Sequence, residues 1–218
     1  MKEENSFIYK YKHFLLLNIF ILLQIYFNYC EATVKPIYFM HSKLDSHIPF
    51  VKEFVIPYLS WYILMIGAFI YLGFESKKDF YRLLWLLSSG MFISCTIYLI
   101  FPNAQNLRPK IVGKDLFSYM IAYIYSVDTP TNVCPSIHVY NSISVYIALV
   151  NCEKLQDKYS LKLLLLLWVL SICASTVLIK QHSILDVIWG TVLALVLYGA
   201  IYKIPGRKAM QAREMRTA

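Results

Sequence analysis

Long apolar runs alternate with shorter polar ones along the whole chain. Six apolar blocks stand out, at about residues 14–29, 54–74, 83–101, 137–152, 161–179 and 184–202. A helix rises about 1.5 Å per residue and roughly 20 residues cover the hydrocarbon of a bilayer, so each block predicts a membrane-spanning helix that satisfies its own backbone hydrogen bonds. The expected fold is all-α: a polytopic membrane protein, a bundle of six transmembrane helices in one integral-membrane domain over residues 1–218. The segments between blocks then alternate sides. Residues 30–53, 102–136 and 180–183 share one face, and the short connectors "ESKKDFYR" and "NCEKLQDKYSLK" share the other. "LSSG" at 87–90 and the small residues Ala174, Ser175 and Thr176 permit close helix approach, and Tyr and Trp near the block ends suit interfacial anchoring.

Composition agrees with lipid as the main solvent. Hydrophobic residues make up 58% and charged residues 16%, against roughly 45–50% and about 25% in a soluble domain. The formal charge of +8 has a topological explanation. With the N-terminus in the cytoplasm, fourteen of the 21 Lys and Arg fall on the inner side, Lys77, Lys78, Arg82, Lys154 and Lys158 among them. The positive-inside rule therefore predicts that both termini are cytoplasmic, with residues 203–218 a basic tail in solvent or against headgroups, and no nucleic-acid partner is implied. A cleaved signal peptide is the competing reading of the first block, but "YFNYCEAT" puts bulky residues where a cleavage site wants small ones. The five cysteines, odd in number and without a CxxC pair, argue against a metal cluster or thiol redox centre. Cys95 and Cys173 read as packed apolar residues, whereas Cys30 and Cys134 lie on the outer side and pair only if the fold brings them together.

Chemistry is expected on that outer side. The long loop carries Arg108, Lys110 and Lys114 and ends in "PSIH" with Pro135, Ser136 and His138; the short one, "KQHSILDV", carries Lys180, His182 and Asp186. The fourth and fifth blocks form one hairpin, which returns His138 and His182 to the same membrane surface. Four residues separate His182 from Asp186, so on a helix they share a face and the carboxylate can fix the ring's tautomer, freeing the second nitrogen as nucleophile or base. Taken singly these residues read blandly: a capped helix start, a helix-facing hydrogen bond, headgroup contacts. Together they place two imidazoles, a carboxylate, a hydroxyl and several cations on one face of one bilayer, where ionisable groups are costly to keep. "DSHIPFVKEFVIPY" reads as an interfacial turn in which Pro49 and Pro57 set the start of the next helix, the alternative being that Asp45 and His47 line the mouth of a site.

Over roughly residues 80–200 this pattern resembles the type 2 phosphatidic acid phosphatase (PAP2) superfamily, whose motifs run K-x6-R-P, P-S-x-H and S-R-x5-H-x3-D. Pro135, Ser136, Ile137 and His138 match the second; Ser175, His182 and Asp186 match the third in part; Arg108 and Pro109 match the end of the first. Phe101 and Thr176 stand where the first motif's lysine and the third motif's arginine would be, and the latter loss is similar to the branch of sphingomyelin and inositol-phosphorylceramide synthases. The resemblance implies a metal-independent lipid phosphate phosphatase with no cofactor, acting on phosphatidate, a polyprenyl diphosphate or a similar lipid at the extracytoplasmic face of the cell membrane. It implies that His182 attacks phosphorus and forms a phosphohistidine, that Asp186 holds its ring, and that His138 serves as acid and then base. Arg108, Ser136 and Lys180 would hold the phosphoryl oxygens. Transfer to an alcohol acceptor is the rival reading. A non-catalytic membrane protein such as a transporter or assembly factor is the third, against which stand the lack of an inverted repeat, of a broken pair of spans and of a charge deep in a helix.

Overall fold

The computed structural model describes residues 7–203 of the chain; the basic tail expected over 203–218 lies outside them but for Lys203. The first block is one long helical segment. α1 (Phe7–Tyr11) continues through a 3-10 stretch, Lys12–Asn18, into α2 (Ile19–Thr33). There follow α3 (Val55–Glu75), α4 (Lys77–Ile100), α5 (Leu116–Val127), α6 (Ile137–Val150), α7 (Tyr159–Leu178) and α8 (Ile184–Tyr198), the last prolonged by a π turn, Gly199–Lys203. Two-residue strands β1 (Tyr38–Phe39) and β2 (Asn103–Ala104) pair in parallel and clip the α2–α3 connection to the segment after α4.

Five of the helical segments are long and apolar enough to cross a membrane: Tyr9–Thr33, Lys52–Glu75, Lys77–Ile100, Tyr159–Leu178 and Ile184–Lys203. The fourth apolar block differs from the span expected of it. α6 has 14 residues, about 21 Å of helix, well short of roughly 30 Å of hydrocarbon. Its surroundings explain how a short helix suffices. α6 packs against α3, α4, α7 and α8, and Val139, Tyr140, Asn141, Ser142, Ser144, Val145 and Ala148 are fully buried, so protein rather than lipid surrounds its polar side chains. The Tyr140 ring lies where a Cβ on Gly90 would be, and its hydroxyl donates to the Leu86 carbonyl.

The second difference is α5, which falls inside the segment read as a loop. Its 12 residues are too few to register as a span, but Asp115 caps it by accepting from the Ser118 amide (3.2 Å) and hydroxyl (2.7 Å) and pairs with Lys52 (2.6 Å). Ser118, Ile121 and Ile124, three residues apart, form its buried face.

All three connections assigned to one face of the bundle do meet at one end. Val51 N–H donates to the Leu178 carbonyl (3.0 Å), Gln105 Nε2 to the Lys180 carbonyl (3.1 Å), and Glu31 at the end of α2 accepts from Thr129, Thr131 and Asn132. All five cysteines are free, so Cys30 and Cys134 do not pair; the Cys30 thiol instead donates to the Cys95 carbonyl across the α2–α4 contact (3.5 Å).

Candidate active site

α7 ends in a turn that determines where His182 goes. The Gln181 amide donates to the Thr176 carbonyl (2.9 Å) and the Lys180 amide to that of Val177 (3.2 Å), with Lys180 at φ +56°. This is the Schellman arrangement, with Lys180 at the left-handed position where glycine is usual. A side chain there costs on the order of 1 kcal/mol, and the Lys180 ammonium offsets it by donating to the carbonyls of Asp45 (2.9 Å) and Ile48 (2.5 Å). The His182 amide also donates to Thr176 (3.0 Å), so the residue standing where the motif's arginine would be anchors this turn through its backbone.

α8 begins immediately afterwards, capped by Ser183. The Asp186 carboxylate reaches back to the Ser183 amide (2.9 Å), and the same oxygen lies 3.3 Å from His182 Nδ1. Four residues of helix have thus delivered a fully buried carboxylate to the ring. α6 starts beside it. Ser136 caps α6 through the Val139 amide (3.4 Å), and the Ser136 amide donates to the Asp186 carbonyl (3.1 Å). Gly190 allows this approach, because a Cβ there would sit 2.8 Å from the Ser136 carbonyl oxygen. His138, in the first turn of α6, comes to rest with its ring centroid 6.3 Å from that of His182.

Both rings wall a cavity of about 540 Å3. Tyr58 stacks on His138 at 4.5 Å and 25°, Trp61 lies 4.6 Å from it, and α2, α4 and α5 contribute Phe27, Tyr98 and Tyr123. The wall is largely apolar and aromatic, and besides the two histidines its polar part is Gln24, Arg108, Asp128, Thr129, Thr131, Asn132 and Gln181.

The six residues singled out in the sequence therefore have different fates. His138, His182 and Arg108 line the cavity, and Asp186 stands directly behind His182. Ser136 is wholly buried as a cap, and Lys180 is spent on two carbonyls; neither lines the cavity. Arg108 is itself largely engaged. One terminal nitrogen donates to the Asp128 carbonyl (2.8 Å), the other to that of Thr129 (3.1 Å), and the plane covers the Tyr125 ring at 4.6 Å. Its buried Nε has no partner. Phe101, in place of the motif lysine, stacks on Tyr38 at 4.3 Å.

Sequence reasoning passed over Tyr58, Trp61, Gln181 and Asp128. The Asp128 carboxylate accepts from Gln181 Nε2 (3.0 Å) and the Tyr58 hydroxyl (3.5 Å). Burial raises its pKa, opposed by the charges of His182 and Arg108, while burial lowers that of Arg108. Asp128 was visible in "DTPTNVCPSIH" as a carboxylate ten residues before His138, whereas Tyr58 and Trp61 reach the site through tertiary packing alone. Among the described residues no group of three or more His, Cys, Asp or Glu is placed to hold a metal ion.

Two imidazoles of which one is backed by a carboxylate, beside a guanidinium and an apolar chamber, can support nucleophilic substitution at an anionic centre on an amphiphile. Comparison with known proteins is consistent with that chemistry. The sequence model of the PAP2 superfamily matches residues 82–210, more than half of the chain. No curated protein and no solved structure matches.

Proposed function

The chain belongs to the PAP2 superfamily, and from that premise we propose that it is a membrane-embedded lipid phosphate phosphatase, working without a metal through a phosphohistidine at the extracytoplasmic face of the cell membrane. One observation carries the proposal: two histidine rings 6.3 Å apart on the wall of one cavity, the second of them tied through Nδ1 to a buried carboxylate. With its Nδ1 proton donated to Asp186, His182 presents a free Nε2 lone pair. That nitrogen attacks phosphorus; the bond to the lipid oxygen breaks, and His138 protonates the departing alcohol. Water then gives a proton to His138 and attacks phosphorus, the P–N bond breaks, and inorganic phosphate leaves with His182 regenerated.

Arg108 supplies the positive charge at the cavity in this reading. Lys180 would reach a phosphoryl oxygen only by releasing the two carbonyls it now holds, and Ser136 is wholly buried away from the cavity wall, so we assign them to holding the two helix starts. The apolar remainder of the wall suits the chains of a lipid such as phosphatidate or a polyprenyl diphosphate. Transfer to an alcohol acceptor is a second reading, favoured by Phe101 and Thr176 at the positions of the motif cations. For the topology we propose six crossings, α6 completing the set within the bundle, and both termini cytoplasmic, following the distribution of Lys and Arg.

A panel of lipid phosphates labelled at phosphorus, incubated with the protein in mixed micelles and quenched, decides among these. The expected result is acid-labile label on the wild type, absent from His182→Ala, together with free phosphate. Label that discharges only onto an added alcohol indicates transfer. Neither label nor phosphate across a broad panel would overturn the enzymatic reading in favour of a non-catalytic one.

A further inference from the structure

We propose that Asp45 is a positioning residue for His182. Asp45 lies on the α2–α3 connection, outside the segment matched by the family, and is 3% exposed. Its carboxylate is bonded to the two residues that follow His182. One oxygen accepts from the Ser183 hydroxyl (2.6 Å) and from the Ser42 amide (2.7 Å), the other from the Ile184 amide (2.9 Å). Ser183 in turn donates its own amide to the Asp186 oxygen that faces His182 Nδ1. A continuous run of hydrogen bonds therefore leads from Asp45 through Ser183 and Asp186 to the ring. The return contact comes from the other side of the turn, where Lys180 Nζ donates to the carbonyls of Asp45 and Ile48. The connection thus grips the catalytic turn at residue 180 and again at 183 and 184.

A buried carboxylate is expensive unless its oxygens are satisfied, and here three donors satisfy it, two of them from the helix start that presents Asp186. Asp45 does not line the cavity, so it acts on the reaction through the orientation of the His182–Asp186 pair and not by touching substrate. Replacing one of its oxygens by an amide NH2 takes the acceptor from the Ser183 hydroxyl and Ser42 amide or from the Ile184 amide, and so loosens the first turn of α8. Displacements of about 1 Å at such a pair cost on the order of a hundredfold in rate.

The inference rests on the reading of His182 as nucleophile, and its test is built on two separate readouts in the full-length protein. The first is turnover. Asp45→Asn is expected to lower kcat by about 10- to 100-fold with KM within about twofold of wild type, and the double variant Asp45→Asn/Asp186→Asn is expected to be no slower than Asp186→Asn alone, because both act on one ring. Losses that multiply in the double variant would overturn the proposal. The second readout needs no turnover: the rate at which diethyl pyrocarbonate modifies His182, followed on its peptide by mass spectrometry. Asp45→Asn and Ser183→Ala should each change that rate by about twofold or more, with no further change when combined with Asp186→Asn. Ser183→Ala breaks the same contact from the opposite partner and replaces Asp45→Asn should the latter fail to fold. An unchanged His182 rate in both variants sinks the role of Asp45. A wild type that releases no phosphate sinks the phosphatase reading instead, and the His182 rates still decide on Asp45.

Discussion

The three residues proposed for the chemical centre could be picked out of the sequence because their relationships are local. His182 and Asp186 are four apart at a helix start, and "PSIH" carries its own cap and turn. Replacing Asp186 by Asn should leave the fold intact and lower kcat by roughly 10²–10⁴ through loss of the ring's orientation; His138→Ala should do likewise, with a smaller loss on substrates whose leaving group needs no proton. What the sequence could not convey is which neighbouring groups are already occupied. Lys180 looked like a free cation and is bonded to two carbonyls; Asp128 looked like loop and faces the cavity. Asp128 yields a prediction with a definite sign. Burial raises its pKa, so as pH falls through that raised value it loses a negative charge that opposes an anionic substrate. As pH falls toward the ordinary carboxylate value of about 4, the wild-type KM for a phosphomonoester should therefore drop relative to that of Asp128→Asn, measured side by side; a constant ratio of the two would contradict it.

At the scale of elements, hydropathy located the long helices well, because period and length are written in consecutive residues. It says less where burial is by protein. α6 is shorter than a bilayer, its polar side chains covered by its neighbours, and α5 was hidden because a 12-residue helix with one capping aspartate does not resemble a span. The crossing of α8 over the start of α6 is set by a single absent side chain. Gly190→Ala places a methyl 2.8 Å from the Ser136 carbonyl, a backbone atom that cannot swing aside. The expected outcome is a loss of about 1–3 kcal/mol of stability, seen as a lower unfolding temperature, and a larger proportional fall in kcat, since the strain opens the gap between the two imidazole-bearing helix starts. A second element-scale prediction concerns the turn after α7. Lys180→Gly suits the left-handed backbone but removes both ammonium bonds, so it should weaken the grip on the 45–48 segment while leaving α7 itself unchanged, as read by hydrogen exchange of the Ile48 and Val51 region.

For the whole molecule, the alternation of helices brings the three loops to one end, and the charge distribution predicts which side of the membrane that end faces. Val112 is 89% exposed in the loop before α5, and Lys154 is exposed at the opposite end. In intact cells Val112→Cys should react with a membrane-impermeant maleimide, and Lys154→Cys only after permeabilisation. Background is low because four of the five native cysteines are buried. The reverse pattern would invert the bundle.

The stretch that carries every recognisable motif begins at Arg82, yet the aromatic plate against His138, the carboxylate behind Ser183 and part of the chamber's wall all come from residues before it. A chain cut to that stretch would keep each diagnostic letter and forfeit the scaffold that gives the letters their meaning. Grafting the first 75 residues from a distant homologue should accordingly cripple the protein more than exchanging its tail, a test of whether lineage-defining sequence and working machinery share the same borders.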